Sequence, residues 1–145
     1  MAALISTKGR YALRAMVDLA QNKDAGLVPL ADIARRQGIS EKYLESIIKL
    51  LVKARMVNGM RGKGGGYRLT KAPHQYTVGS ILRLTEESLA PVACLEPGAA
   101  SCPRMAACRT LSLWQGLDKV ISDYLDNITI AELMRPDDAG NDYVI

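Results

Sequence analysis

The fold is decided by residues 30–54, LADIARRQGISEKYLESIIKLLVKA, and by residues 56–71 after them, MVNGMRGKGGGYRLTK. The first stretch predicts a short helix that stops at Gly38 and a second, amphipathic helix that Ser40 caps. Apolar residues recur along one face of the second helix, while charged and small polar residues occupy the other. The apolar positions are Tyr43, Leu44, Ile47, Ile48, Leu51 and Val52. Two helices joined by so short a turn are typical of a helix-turn-helix motif, although an ordinary helical hairpin has the same pattern.

The second stretch predicts two strands, 57–61 and 67–70, joined by a glycine-rich tip at 62–66. Glycines let the backbone approach a sugar-phosphate surface closely. A flexible linker is a poor alternative because the alternating pattern resumes at Tyr67, and the glycine spacing fits neither common nucleotide-binding motif. A helix-turn-helix followed by a basic hairpin predicts a winged helix, with the second helix in the major groove and the wing beside it. Cations lie at and beside the tip: Arg61, Lys63, Arg68 and Lys71.

Charge is divided along the 145 residues, whose net charge is +4. Residues 1–76 carry 14 Lys and Arg against 5 Asp and Glu, whereas residues 77–145 carry 5 against 10. A basic N-terminal half suggests a polyanionic partner, although a solvated basic surface has the same composition. The few residues before Lys8 leave no room for a secretory signal, and no uncharged stretch is long enough to span a membrane. We therefore expect a cytoplasmic protein with no membrane partner.

A long helix with a broad apolar face is predicted near the C-terminus, within RTLSLWQGLDKVISDYLDNI (109–128). Such a face must pack on its own N-terminal domain or on a second copy of the chain. We favour a homodimer, because winged-helix proteins commonly read two half-sites about one helical turn apart. The apolar positions repeat at alternating steps of three and four residues: Trp114, Leu117, Ile121, Tyr124 and Ile128. Leu113, Val120 and Leu125 widen this face.

The predicted fold class is mainly α-helical with a small β-hairpin wing and a long C-terminal dimerisation helix. The sequence divides into a winged helix-turn-helix DNA-binding domain over 1–87 and a cysteine-bearing loop over 88–108. A dimerisation helix with a short following helix occupies 109–135, and an acidic tail occupies 136–145. Thr129 is a candidate cap of the short helix.

All three cysteines, Cys94, Cys102 and Cys108, fall in one loop rich in proline, glycine and alanine. An odd number without an export signal argues against a disulfide scaffold. Their spacing does not place them on one helical face, but in a loop the thiolates could converge on an iron–sulfur cluster, zinc or copper(I). Buried structural cysteines and a thiol redox pair stay open as alternatives. The single histidine, His74, leaves little for a catalytic triad, so we predict no enzyme activity.

Several motifs resemble, in order, those of the Rrf-type family of bacterial winged-helix regulators, the group of IscR, NsrR, RirA and CymR. The resemblance covers roughly residues 5–135. It implies a homodimer whose long C-terminal helix crosses its partner and which represses or activates transcription at palindromic promoter sites in double-stranded DNA. The matching stretches are STKGRYALRAM (6–16), VPLADIARRQGIS (28–40), YLE (43–45), MRGKGGGY (60–67), the cysteine loop and NITIAELM (127–134).

The resemblance implies that base-reading residues lie at the start of the second helix of the motif. Glu45 could accept a hydrogen bond from a cytosine amino group or exclude other bases by repulsion. Arg61 corresponds to the family's wing arginine, which reaches the minor groove. With the neighbouring cations, the predicted DNA-binding residues are Lys8, Arg10, Ser40, Lys42, Tyr43, Glu45, Ser46, Lys49, Arg61 and Lys63.

The resemblance also implies that the three cysteines ligate an iron–sulfur cluster, [2Fe-2S] or [4Fe-4S], which can be absent from the isolated protein. The histidine ligand of IscR corresponds to Leu111 here, and the aspartate ligand of NsrR corresponds to Arg10, so neither is available. The spacing is closer to that of RirA-like sensors with three cysteines. Glu96, within the loop, is a candidate fourth ligand.

The predicted function is a DNA-binding transcriptional regulator that senses iron–sulfur, redox or nitric oxide status through a cysteine-ligated cluster. The alternative is a cluster-free, CymR-like regulator controlled by a partner protein or by thiol oxidation. A zinc-stabilised interaction module without a DNA role is an alternative of a different class, and it predicts little salt dependence of DNA binding.

Overall fold

A computed structural model of the protein describes residues 4–135; the predicted tail, 136–145, lies outside them. The described residues form six α-helices and one two-stranded sheet, which confirms the predicted fold class. Short 3-10 turns connect several of these elements. In chain order the elements are α1 (Thr7–Gln21), α2 (Leu30–Gln37), α3 (Glu41–Lys53), β1 (Val57–Met60), β2 (Gly66–Leu69), α4 (Val78–Thr85), α5 (Leu111–Asp126) and α6 (Ile130–Leu133).

Helices α2 and α3 form the predicted helix-turn-helix. Helix α2 ends at Gly38, whose φ of 65° lies in the left-handed region that glycine adopts at little cost. Ser40 caps α3, since its hydroxyl accepts a hydrogen bond from the Tyr43 amide at 3.2 Å. One face of α3 is buried against α1 and α2, and the other faces solvent. The buried residues of α3 are Leu44, Ile47, Ile48 and Leu51.

The wing is an antiparallel hairpin in which Val57 pairs with Leu69 and Met60 with Gly66. Tyr67 exchanges two backbone hydrogen bonds of 2.8 Å with Val28, so the segment before α2 anchors the second strand. A Cβ at Gly66 would lie 2.5 Å from the Val28 carbonyl oxygen, which makes glycine necessary at this close approach. The tip, 61–65, therefore projects from a fixed base.

The main core lies around α1, which packs against α2, α3, α4 and α6. Helix α6 follows α5 in sequence but packs against α1, and its Ile130 is fully buried in the main core. A bridge between Thr77 and Thr129 fixes this return of the chain. We call α1–α4, the wing and α6 the head. Helix α6, which the sequence grouped with the dimerisation helix, is thus part of the head in space.

Helix α5 has no buried residue. Its predicted apolar face lies largely in solvent, with Leu113, Val120 and Tyr124 exposed by 59%, 64% and 62%. Near its C-terminal end, Leu125 and the following Ile128 pack against a small cluster on α4. A single copy of the chain therefore leaves most of this face uncovered. No helix of the described residues has the length and apolar character needed to cross a membrane.

Candidate nucleic-acid interface and cysteine loop

The solvent face of α3 carries most of the predicted base-reading side chains. Lys42, Glu45 and Lys49 follow one another at helical spacing on this face. Glu45 and Lys49 form an ion pair, with 3.4 Å between Oε1 and Nζ. An exposed pair of this kind contributes little stability, so contacts with a ligand can replace it at small cost. The exposed residues of the predicted set in this region are Ser40, Lys42, Tyr43, Glu45, Ser46 and Lys49.

The wing lies beside this face and forms a groove with α3 of about 500 Å³. Glu45, Lys49 and Arg61 line the groove, together with the apolar Met60, which is 63% exposed. Lys63 is exposed at the tip. Cationic side chains thus border an apolar floor, an arrangement that suits the sugar-phosphate backbone and base edges of a duplex.

The two predicted residues of α1 lie in different surroundings. Arg10 is exposed and donates a hydrogen bond of 3.1 Å to the Thr7 hydroxyl. Lys8 is half-buried and lines a separate cavity beside the cysteine loop, where carboxylates surround it. The structure therefore does not bring Lys8 to the groove, and its contact with DNA stays a prediction. The carboxylates of this cavity are Glu86, Glu87 and Glu96.

Two residues of α1 that the sequence did not single out, Tyr11 and Arg14, lie beside the start of α3. The rings of Tyr11 and Tyr43 meet edge to face, with centroids 5.8 Å apart. The guanidinium carbon of Arg14 lies 5.1 Å from the Tyr11 ring centroid. The apolar positions predicted for α3 include Tyr43, but its ring lies at the edge of the core, where it contacts Tyr11 and stays 37% exposed. Tyr11 and Arg14 are three residues apart on α1, but this spacing does not show that their face meets α3.

The structure places the three cysteines in the predicted loop between α4 and α5 without gathering them. Cys94 and Cys102 are half-buried and Cys108 is exposed, all as free thiols. Within residues 4–135, no cluster of three or more His, Cys, Asp or Glu side chains could hold a metal ion. The donor chemistry fits a soft metal, but ligation by all three thiols would require the loop to change its conformation.

Cys108 differs in its chemistry from an ordinary exposed thiol. Hydrogen bonding from Thr110, whose hydroxyl oxygen lies 3.5 Å from the sulfur, lowers the pKa of Cys108 below its ordinary value. The thiolate is the form that ligates metals and reacts with oxidants. The positions of the family's histidine and aspartate ligands offer no metal donor here, since Leu111 is apolar and Arg10 is cationic.

A helix-turn-helix with an exposed polar face on its second helix, followed by a basic wing, defines the class of winged-helix DNA-binding proteins. Residues 5–136 match the Rrf2 family model, described as "Iron-dependent Transcriptional regulator". The chain belongs to this family of transcriptional regulators, as its motifs predicted.

Similarity to individual proteins agrees with the family. The chain is 44% identical to the HTH-type transcriptional regulator IscR of Vibrio campbellii over 131 residues, which are 90% of this chain and 77% of that protein. Among solved structures, T. potens IscR is 38% identical with a TM-score of 0.72, over 97% of this chain and 91% of that one. CymR, the global cysteine regulator of B. subtilis, is 34% identical with a TM-score of 0.73, over 92% and 97%.

Proposed function

We propose that the protein binds palindromic double-stranded DNA as a homodimer and that its cysteine loop makes this binding depend on iron–sulfur status. The observation that carries the proposal is the exposed row of Lys42, Glu45 and Lys49 on α3, directly beside Arg61 of the wing. A row of polar side chains on a rigid helix, flanked by a basic hairpin, suits readout of a major groove and its neighbouring backbone.

The residues of this surface take different roles in the proposal. Glu45 accepts from the amino group of a cytosine, while Ser46 is placed to contact bases beside it. Lys42 and Lys49 neutralise phosphates at the edges of the groove, and Arg61 reaches the flanking minor groove. The base contacts supply specificity, whereas the phosphate contacts supply most of the salt-dependent affinity.

The uncovered face of α5 supports the homodimer. Leu113, Val120 and Tyr124 are each exposed by more than half, which is unusual for a row of apolar side chains on one helix. A second copy of α5 would cover this face by two-fold symmetry. Two heads held in this way would meet half-sites about one helical turn apart.

The cysteine loop is proposed as the sensor, with Cys94, Cys102 and Cys108 as ligands and Glu96 as the candidate fourth. When bound, an iron–sulfur cluster would supply a thiolate-ligated centre whose state depends on iron and on oxidants. The loop joins α4 of the head to α5, so a change in its conformation would alter how the two heads are held. A coupling free energy of about 1–3 kcal/mol is enough to switch DNA affinity.

Thiol oxidation without a cluster is the second candidate. Two observations favour it: the exposed Cys108 thiol has a lowered pKa, and the three thiols are not gathered. In that case the same loop would change conformation when a thiol is oxidised, and no metal would be required.

DNA binding is tested with a duplex that the wild-type protein selects from a randomised library, compared with a scrambled duplex by fluorescence anisotropy across salt concentrations. Lys49→Ala is expected to weaken binding to both duplexes and to lower the salt slope by about 1. Lys23→Ala, which removes one exposed charge that does not line the groove, is the matched control and should leave the slope unchanged. Equal affinity for the two wild-type complexes with no salt dependence would contradict the proposal.

The sensor is tested by anaerobic purification and native mass spectrometry, which count iron, sulfide and subunits together. We expect a dimer that carries iron and sulfide, and the single variants Cys94→Ala, Cys102→Ala and Cys108→Ala should each lose them. A wild-type dimer without iron or sulfide after anaerobic reconstitution would contradict the cluster. If DNA binding then responds to peroxide in the wild type but not in the triple variant, thiol oxidation is the mechanism.

A further inference from the structure

A continuous chain of contacts begins at a buried carboxylate on α1. Asp18 is 1% exposed and is the one buried charged side chain among the residues that the structure describes. It accepts hydrogen bonds from Arg36 Nε and Nη2 at 2.9 and 2.7 Å, and from Gln37 Nε2 at 2.9 Å. Both donors belong to the last turn of α2, so Asp18 fixes the end of the helix that precedes the helix-turn-helix turn.

Arg14 extends this series of contacts from Gln37. Its Nε donates to the Gln37 side-chain oxygen at 3.2 Å, and its Nη2 donates to the Gln37 backbone carbonyl. Gln37 is the last residue of α2, directly before Gly38. One guanidinium therefore holds both the side chain and the carbonyl at the point where the chain turns toward α3.

The same guanidinium is linked to the other side of the turn. It lies over the Tyr11 ring, at a distance typical of a cation–π contact. The Tyr11 ring in turn meets the Tyr43 ring at an interplanar angle of 75°. Tyr43 lies in the first turn of α3, where its amide also donates to the Ser40 cap. Arg14 thus connects the last residue of α2 with the first turn of α3.

We propose that Asp18, Gln37, Arg14 and Tyr11 are positioning residues that fix the orientation of α3 and of Tyr43 for sequence-specific DNA recognition. This inference rests on the proposed DNA-binding role of α3. Base readout requires side chains in a defined orientation, whereas attraction to phosphates tolerates small changes of orientation. Holding Tyr43 in place before binding also reduces the entropy that is lost on complex formation. Loss of the contacts should therefore reduce specificity more than general affinity for DNA.

The test is Arg14→Met, which keeps most of the aliphatic stem and removes the guanidinium. The probes are the duplex selected by the wild-type protein and its scrambled counterpart. We expect affinity for the selected duplex to fall about tenfold, affinity for the scrambled duplex to change less than about twofold, and the salt slope to stay the same. Weaker binding to both duplexes, with a slope lower by about 1, would mean that Arg14 is a phosphate contact and would overturn the inference.

Tyr11→Leu is the second variant, because it breaks this series of contacts at a different residue. If both residues act through one unit, the double variant Arg14→Met/Tyr11→Leu should be no weaker on the selected duplex than the worse single variant. Arg35→Met, which removes an exposed arginine from α2 without touching Gln37 or Tyr11, is the matched control and should keep wild-type specificity.

Circular dichroism and thermal melting confirm that each variant is folded before its DNA binding is compared. Wild-type specificity in both Arg14→Met and Tyr11→Leu would overturn the inference, and so would additive losses in the double variant. A wild-type protein that does not distinguish the two duplexes would instead contradict the proposed function.

Discussion

The head and α5 differ in how they bury apolar surface. In the head, α1 contributes side chains that the surrounding helices cover completely, and Met16, Ile47 and Ile81 are all fully buried. Helix α5 is longer than any helix of the head but has no buried residue. The head is thus completed by one copy of the chain, while α5 presents an apolar face suited to a second copy.

Polar contacts join α4 to the start of α1 and to the end of α5. At the end of α4, the Glu86 carboxylate accepts hydrogen bonds from the Ser6 amide at 3.0 Å and from its hydroxyl at 2.7 Å. Arg83, also on α4, bonds Asp126 at the end of α5. Leu125 and Ile128 also pack against Val78 and Leu82 of α4, so the C-terminal end of α5 is joined to the head by both polar and apolar contacts.

The largest expected effect is the difference in stability between a Leu→Ala substitution in the head and one on α5. Leu51→Ala removes a fully buried side chain of α3 and should lower the free energy of unfolding by about 3–4 kcal/mol. Leu113→Ala, on the exposed face of α5, should cost less than about 0.5 kcal/mol at low protein concentration. Urea unfolding at several protein concentrations measures both.

At higher concentration, the cost of Leu113→Ala should grow, because the dimer would lose contacts that the monomer does not make. The cost of Leu51→Ala should stay nearly constant. If Leu113→Ala were equally costly at every concentration, α5 would be packed within a single chain.

The second effect is the difference in stability cost between breaking a buried ion pair and breaking an exposed one. Asp18→Ala leaves Arg36 and Gln37 without their acceptor and should cost about 3 kcal/mol, toward the lower end for a buried pair, because the Arg36 side chain is 35% exposed. Asp123→Ala breaks the exposed pair with Lys119 on α5 and should cost less than about 1 kcal/mol. Urea unfolding measures both variants, and similar decreases in the free energy of unfolding would contradict the difference between the buried and the exposed pair.

The sequence predicted the helix-turn-helix well because its signals are local. Ser40 as a cap, Gly38 as a stop and the apolar spacing of α3 each depend on nearby residues in the chain, and the structure confirms all three. Tyr43 and Val52 are the exceptions among the apolar positions, since they are 37% and 39% exposed. Tyr43 contacts Tyr11, more than thirty residues away in sequence, and one sequence does not show which faces of α1 and α3 meet.

The position of α6 and the arrangement of the cysteine loop also depend on contacts between distant residues, which one sequence does not show. The sequence predicted the helix and the cap at Thr129, but the burial of Ile130 in the head depends on where the chain returns after α5. The sequence shows three thiols of the kind that ligate soft metals. Convergence of the thiols depends on the loop's conformation, which residue spacing does not determine.

The smallest effect concerns the ion pair between the two regions, Arg83 and Asp126. The Arg83 guanidinium lowers the pKa of Asp126, so the pair stabilises the fold above the ordinary pKa range of aspartate and loses this contribution as the pH falls through the lowered value. The two side chains are 47% and 43% exposed, and solvent screening limits the contribution to about 0.5–1 kcal/mol. Arg83→Met should therefore be less stable than the wild type at pH 7 by this amount, and the difference should shrink at an acid pH below the ordinary pKa range of aspartate.

A double-mutant cycle with Asp126→Asn isolates the pair, since a cycle removes effects that each substitution has by itself. Urea unfolding at both pH values gives the coupling energy, which should also shrink in about 1 M salt because the pair is partly exposed. A coupling that persisted at low pH would mean that Arg83 acts on α5 through packing of its aliphatic stem. In that case the junction between α4 and α5 would depend on apolar contact, including that of Leu125 with α4, and not on charge.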